Sequence, residues 1–129
     1  MDWNLNDLYP NINSKKISED FLKLEKRSIK FNKSFKNKIK NKSNPKRVHK
    51  AIVELEKIYE GLGKLSSYAS LNFAANTNNE KISQFYQSTS EKVSQIRKNL
   101  IFFFIDWNNI DSKNAKRISD TKILVKYKN

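Results

Sequence analysis

Residues 44–79, NPKRVHKAIVELEKIYEGLGKLSSYASLNFAANTNN, decide the fold. Asn44 followed by Pro45 reads as a helix start, an N-cap side chain and then a ring whose missing N–H costs nothing in the first turn. From there Val48, Ile52, Leu55, Tyr59, Leu62, Ser66, Ala69 and Phe73 recur at spacings of four and three. That rhythm draws one face of an α-helix, and it predicts a helix running to about Ala75. Thirty residues of helix would span roughly 45 Å. Gly61 and Gly63 fall inside it, each costing ~1 kcal/mol relative to alanine, so each asks for a close backbone approach or a bend. Asn76-Thr77-Asn78-Asn79 is a turn and cap cluster that ends the segment.

Upstream, Ile17, Phe21, Leu24, Ser28, Phe31 and Phe35 keep the same spacing and predict a helix from Ser14 or Ser18 to about Ile39. Lys40 to Asn44 is a polar link. Downstream, Ile82, Tyr86, Thr89, Val93, Ile96, Leu100 and Phe103 predict a third helix from about Glu80 to about Ile105. Its end, Leu100 to Ile105, is apolar around the whole circumference, which calls for burial on all sides. Trp107 and Ile110 extend that patch. Asp111-Ser112 should cap a short fourth helix carrying Ala115 and Ile118. Ser28, Ser66 and Thr89 interrupt the three stripes; a hydroxyl can bond back to a carbonyl one turn earlier, so these residues need no special role.

The expected fold is therefore all-α: long antiparallel helices forming a hairpin or three-helix bundle, with a short fourth helix. Only two glycines and two prolines punctuate 129 residues, which argues against many-hairpin β architectures. Residues 1–13 form a leader with Trp3 and a Tyr9-Pro10 turn, expected to dock rather than float. Residues 14–129 form the helical domain. Ile123, Leu124, Val125 and Tyr127 near the end give the chain the look of one cut short.

The formal charge is +13, and its placement matters more than its size. Residues 14–50 carry fourteen Lys and Arg against Glu19, Asp20 and Glu25, a balance of +11. A basic segment of this kind invites a nucleic-acid reading through residues 15–50. Against it, 22 lysines accompany only 4 arginines and 17 asparagines. Phosphate and base readers draw more on the planar arginine fork, so a tolerant, lysine-rich surface is the preferred reading and nucleic acid the alternative. There is no cysteine, hence neither a disulfide nor a thiolate metal site. The opening residues lack a basic and apolar leader, and the longest apolar run is too short for a bilayer; the expectation is a cytoplasmic protein without a membrane partner.

No residue qualifies as catalytic, cofactor-binding or metal-ligating. A helical zinc peptidase needs His-Glu-x-x-His, and the one histidine, His49, is followed by Lys50 and Ala51. Gly61-Leu62-Gly63 lacks the Lys-Ser/Thr ending and the preceding strand of a phosphate loop. Glu54, Glu56, Glu60 and Glu91 lie among lysines at helical spacing and are read as ordinary surface pairs. Tyr59 and Tyr86 fall on apolar stripes. Phe31 and Phe35 could serve as a base-stacking platform, but their stripe positions favour burial.

Three stretches in matching order resemble oligoendopeptidase F sequences. Trp3-Asn4-Leu5-Asn6-Asp7-Leu8-Tyr9-Pro10 is similar to that family's Trp-Asp-Leu-Ser-Asp-Leu-Tyr-Pro opening. Leu62 to Thr77, with Tyr68-Ala69-Ser70-Leu71 at its centre, is similar to the end of the family's second long helix. Leu100 to Trp107 falls where these proteins carry a phenylalanine-rich stretch. Asn76 replaces their usual aspartate, and Ile105-Asp106 replaces a more acidic pair. The resemblance implies a zinc peptidase parent that cuts short oligopeptides in a deep cleft between helical lobes. This segment would belong to the lobe covering that cleft. The zinc and the catalytic domain would lie outside these residues, and that domain would be the segment's principal partner.

Overall fold

The computed structural model describes residues 8–120. Trp3 and residues 121–129, on which part of the leader and tail expectations rest, lie outside them. Among the described residues five helices follow in order: α1 (Lys15–Phe35), α2 (Pro45–Ala75), α3 (Glu80–Lys98), α4 (Ile101–Asn108) and α5 (Ser112–Ser119). No strand occurs among the described residues. The all-α expectation holds.

Pairings across the bundle fix the topology. Arg27 meets Glu54 and Leu24 meets Gly61, so α1 and α2 run antiparallel. Arg97 lies over the Tyr59 ring and Phe73 meets Tyr86, so α2 and α3 are antiparallel as well. α1 and α3 then run side by side in the same direction, with Ser28 beside Asn99 and Phe21 under Lys92. α2 is the longest helix and packs against both others.

α2 starts where its sequence says it should. The Asn44 side chain accepts from Lys46 N at 2.9 Å, with Pro45 in the first turn. The buried line along it differs from the expected stripe. Val48, Leu55, Leu62 and Ala69 are buried as expected, but the positions between them are Ala51, Ile58, Leu65 and Tyr68. Ile52, Tyr59, Ser66 and Phe73 sit half-buried on the flank. α2 is apolar at both sets of positions, and which set faces inward is decided by where α1 and α3 lie.

Two boundaries also differ. α1 ends at Phe35, not Ile39. Lys36 leaves the helix in extended geometry, and Asn37 takes φ of 64°, a left-handed conformation that asparagine adopts more readily than most residues. The buried Ser43 hydroxyl then accepts from Lys40 N and donates to Lys38 O, both at 2.7 Å. That tight link turns Ile39 into the core. The expected third helix is two: α3 stops at Lys98, and the chain bends at Asn99 and Leu100 before α4. Asp111 caps α5 as expected, accepting from Asn114 N at 2.8 Å. Arg117 of α5 donates to the Asn41 and Ser43 carbonyls, tying α5 to the α1–α2 link.

The leader docks where it is described. Leu8 and Tyr9 are buried. The Tyr9 ring meets Tyr68 edge-on at 5.0 Å, and its hydroxyl donates to Asp20 Oδ2 at 2.6 Å. Burial first, then the Asp20 hydrogen bond and charge, push the phenol above its ordinary pKa.

Candidate docking surface

The bend between α3 and α4 is built from polar side chains. The buried Ser28 hydroxyl donates to Glu25 O at 2.8 Å, the back-bond its helical position allows. The same oxygen accepts from Asn99 Nδ2 at 3.0 Å, and Asn32 Nδ2 donates to the Asn99 carbonyl at 3.1 Å. Asn99 is thus held on both its side chain and its backbone by α1. Leu100 N bonds to Arg97 O three residues back, which tightens the turn. Ser28 therefore does have a special role, one its spacing alone could not announce. A buried hydroxyl left with an unmet partner costs about 1–3 kcal/mol, so the pair fixes the direction in which α4 departs.

That direction sorts the apolar residues of 100–105. Leu100 and Phe103 turn into the core. Phe102 lies against Phe31 with ring centres 5.4 Å apart; Phe31 also meets Phe35 at 5.1 Å and Phe103 at 6.2 Å. Phe104 meets the Tyr59 edge at 6.1 Å. The outer face stays open: Ile101 is 47% exposed, Phe104 45% and Ile105 55%. The expectation that this helix end is buried on all sides is not met within the described residues. A helix has two sides, and α1 with α2 covers one. Beside this face, Asp106 Oδ2 is buried without a hydrogen-bond partner among the described residues.

His49 is half-buried in the second turn of α2. Gly61 and Gly63 are mid-helix, so no loop exists there to cradle a phosphate. Phe31 is 1% exposed, which removes it as a stacking platform. Glu54 is not an intrahelical surface pair. Its oxygens accept from Arg27 Nε at 2.8 Å and Nη2 at 3.0 Å, a two-pronged bridge between α1 and α2. That hydrogen bonding, followed by the Arg27 charge and those of Lys57 and Lys30, holds the Glu54 carboxyl below its ordinary pKa against the opposing effect of burial.

Zinc, which the resemblance implies for a parent enzyme, has no ligand set to meet here: no three His, Cys, Asp or Glu stand together among the described residues. No described helix is long and apolar enough to cross a membrane. Compared with family models, curated proteins and solved structures, the chain matches none.

Proposed function

We propose that this chain is a non-catalytic helical segment of an oligoendopeptidase F-like zinc peptidase, in which the outer face of α4 seats against the body that carries the metal. The observation behind this reading is the open row Ile101, Phe104 and Ile105 on a helix whose other side is already packed. Contiguous exposed apolar residues are a usual mark of a contact surface. The Trp3–Pro10, Leu62–Thr77 and Leu100–Trp107 stretches supply the family, and α2 ends at Ala75, within the second of these. The role of the segment is to wall the cleft in which a parent enzyme hydrolyses oligopeptides. Localisation in the cytoplasm belongs to the same proposal.

The DNA downstream of codon 129 tests it. A frame encoding His-Glu-x-x-His, whether continuous or broken by a stop, is the expected result. A downstream region without that motif in any frame would remove the parentage.

The rival reading, a nucleic-acid module through residues 15–50, has exposed lysines such as Lys33, Lys36, Lys38 and Lys42 in its favour. It lacks the Phe31 platform. Titrating an oligonucleotide against salt separates the two, since a phosphate binder loses affinity along a steep log–log slope; a flat or absent response supports the peptidase reading.

A further inference from the structure

The two glycines of α2 have different explanations. A Cβ at Gly61 would come within 2.6 Å of Leu24 Cδ2, so the missing side chain leaves the room that Leu24 of α1 occupies against α2. At Gly63 a Cβ would meet nothing within 4 Å. Nothing in the described fold repays the helix-weakening glycine there. Gly63 is exposed, and it borders a groove between α1 and α2 formed by two adjoining hollows of about 450 and 710 Å³. Arg27, Lys57, Gly61 and Lys64 line both hollows.

The groove has an apolar floor and a cationic rim. Leu24 lines one hollow and Leu8 the other, and Lys23 and Lys26 extend the rim. The acids that line it are Asp20 and Glu60. Glu54 beside it holds Arg27, and Asp20 takes the Tyr9 hydroxyl and lies 3.8 Å from Lys16. Among the described lining residues Glu60 is left as the acid without such a partner. Lys64 rests its ammonium over the Tyr9 ring at 4.8 Å, while Lys23 and Lys57 are exposed.

The geometry points to this α1/α2 groove, opened by Gly63 and rimmed by Lys23, Lys26, Lys57 and Lys64, as a docking site for an acidic peptide segment. Charge complementarity selects the partner: carboxylates meet the lysine rim while apolar side chains of the same peptide rest on Leu8 and Leu24. The missing side chain at Gly63 lets the peptide approach the α2 backbone closely. Lysine ammoniums are compact, mobile point charges that suit single carboxylates, whereas the planar arginine fork favoured for phosphates is present only as Arg27, already paired with Glu54. This inference concerns α1, α2 and the Leu8 that docks beside them, and it stands whether or not a peptidase parent exists.

Fluorescence anisotropy on the full chain tests it, using a labelled peptide that mixes glutamate and leucine and a control in which glutamine replaces glutamate. At about 50 mM salt the acidic peptide should bind and the glutamine control should bind at least ~10-fold more weakly. Lys23→Glu with Lys57→Glu, and separately Gly63→Leu, should each weaken binding ~10-fold. Leucine is a far better helix former than glycine, so Gly63→Leu keeps the fold, and circular dichroism checks this. Lys38→Glu with Lys42→Glu, on the distant link, should change affinity less than ~2-fold. Equal loss from the link variant would reduce the effect to bulk charge and overturn the site. Unchanged binding by Gly63→Leu would overturn it too, as would an oligouridylate that binds the same groove more tightly than the acidic peptide.

Discussion

α2 and α4 are both apolar enough to be buried, yet only α2 is. Along α2, Ala51, Ile58, Leu65 and Tyr68 are all buried. Along α4, Phe103 is buried, while among the described residues Ile101, Phe104 and Ile105 stay about half exposed. Apolar density tells how much surface a helix needs covered, and the neighbouring helices decide how much is covered. α2 lies at the centre with a helix on each side. α4 departs from the end of α3 at a bend set by Ser28 and Asn99, so one side faces the Phe31 cluster and the other faces outward. The contrast separates the packed face of α4 from its exposed one.

Phenylalanine truncation should show that contrast at its largest. Phe31→Ala removes the ring on which Phe35, Phe102 and Phe103 converge and should cost about 3–5 kcal/mol by denaturant unfolding. Phe104→Ala, two residues beyond Phe102 in the chain, should cost less than about 1 kcal/mol. Comparable losses at both positions would erase the distinction between inner and outer faces.

The glycines of α2 sharpen it next. Gly61→Leu drives a side chain into Leu24 and should destabilise by about 1–3 kcal/mol. Gly63→Ala, with open space around it, should stabilise by about 0.5–1 kcal/mol in thermal melts. Ser28→Ala strips Asn99 of its acceptor and should cost about 1–2 kcal/mol. It should also speed hydrogen exchange in α4 more than in α2, because the serine fixes the α3–α4 bend.

The smallest effect belongs to the partly exposed Arg27–Glu54 bridge. Arg27→Gln should cost about 0.5–1 kcal/mol at neutral pH, a modest figure because solvent screens the pair. Since folding lowers the Glu54 pKa, the bridge contributes fully above the ordinary glutamate value of 4.5 and its contribution fades as pH falls through the folded value. Wild-type and variant melting curves should therefore converge in acid. A gap that persists there would assign the effect to packing of the arginine stem instead.

The sequence made the helices legible where a cap and a stripe coincide. Asn44-Pro45 and Asp111-Ser112 mark starts that the structure reproduces, because both signals act within a single turn. What stayed hidden depends on contacts distant in the chain. Ile39 looks like the last turn of a helix, but Ser43 folds the link under it and makes it a core residue. The break in the long third stripe is invisible to periodicity, because Ile96, Leu100 and Phe103 keep their spacing through it. Its cause lies 71 residues upstream in Ser28. The α1/α2 groove was equally hidden: its lysines come from two helices, and only their antiparallel register brings Lys23 and Lys57 to one rim.

The central claim, that the outer face of α4 is made for a surface beyond this bundle, is tested most directly by sedimentation equilibrium of the chain beside a Phe104→Ser, Ile105→Ser double variant. The wild type should self-associate as concentration rises, while the variant stays monomeric with unchanged helicity and melting temperature. A wild type that remains monomeric throughout, paired with a variant that melts well below it, would mean that these side chains are packed within the fold and would contradict the claim.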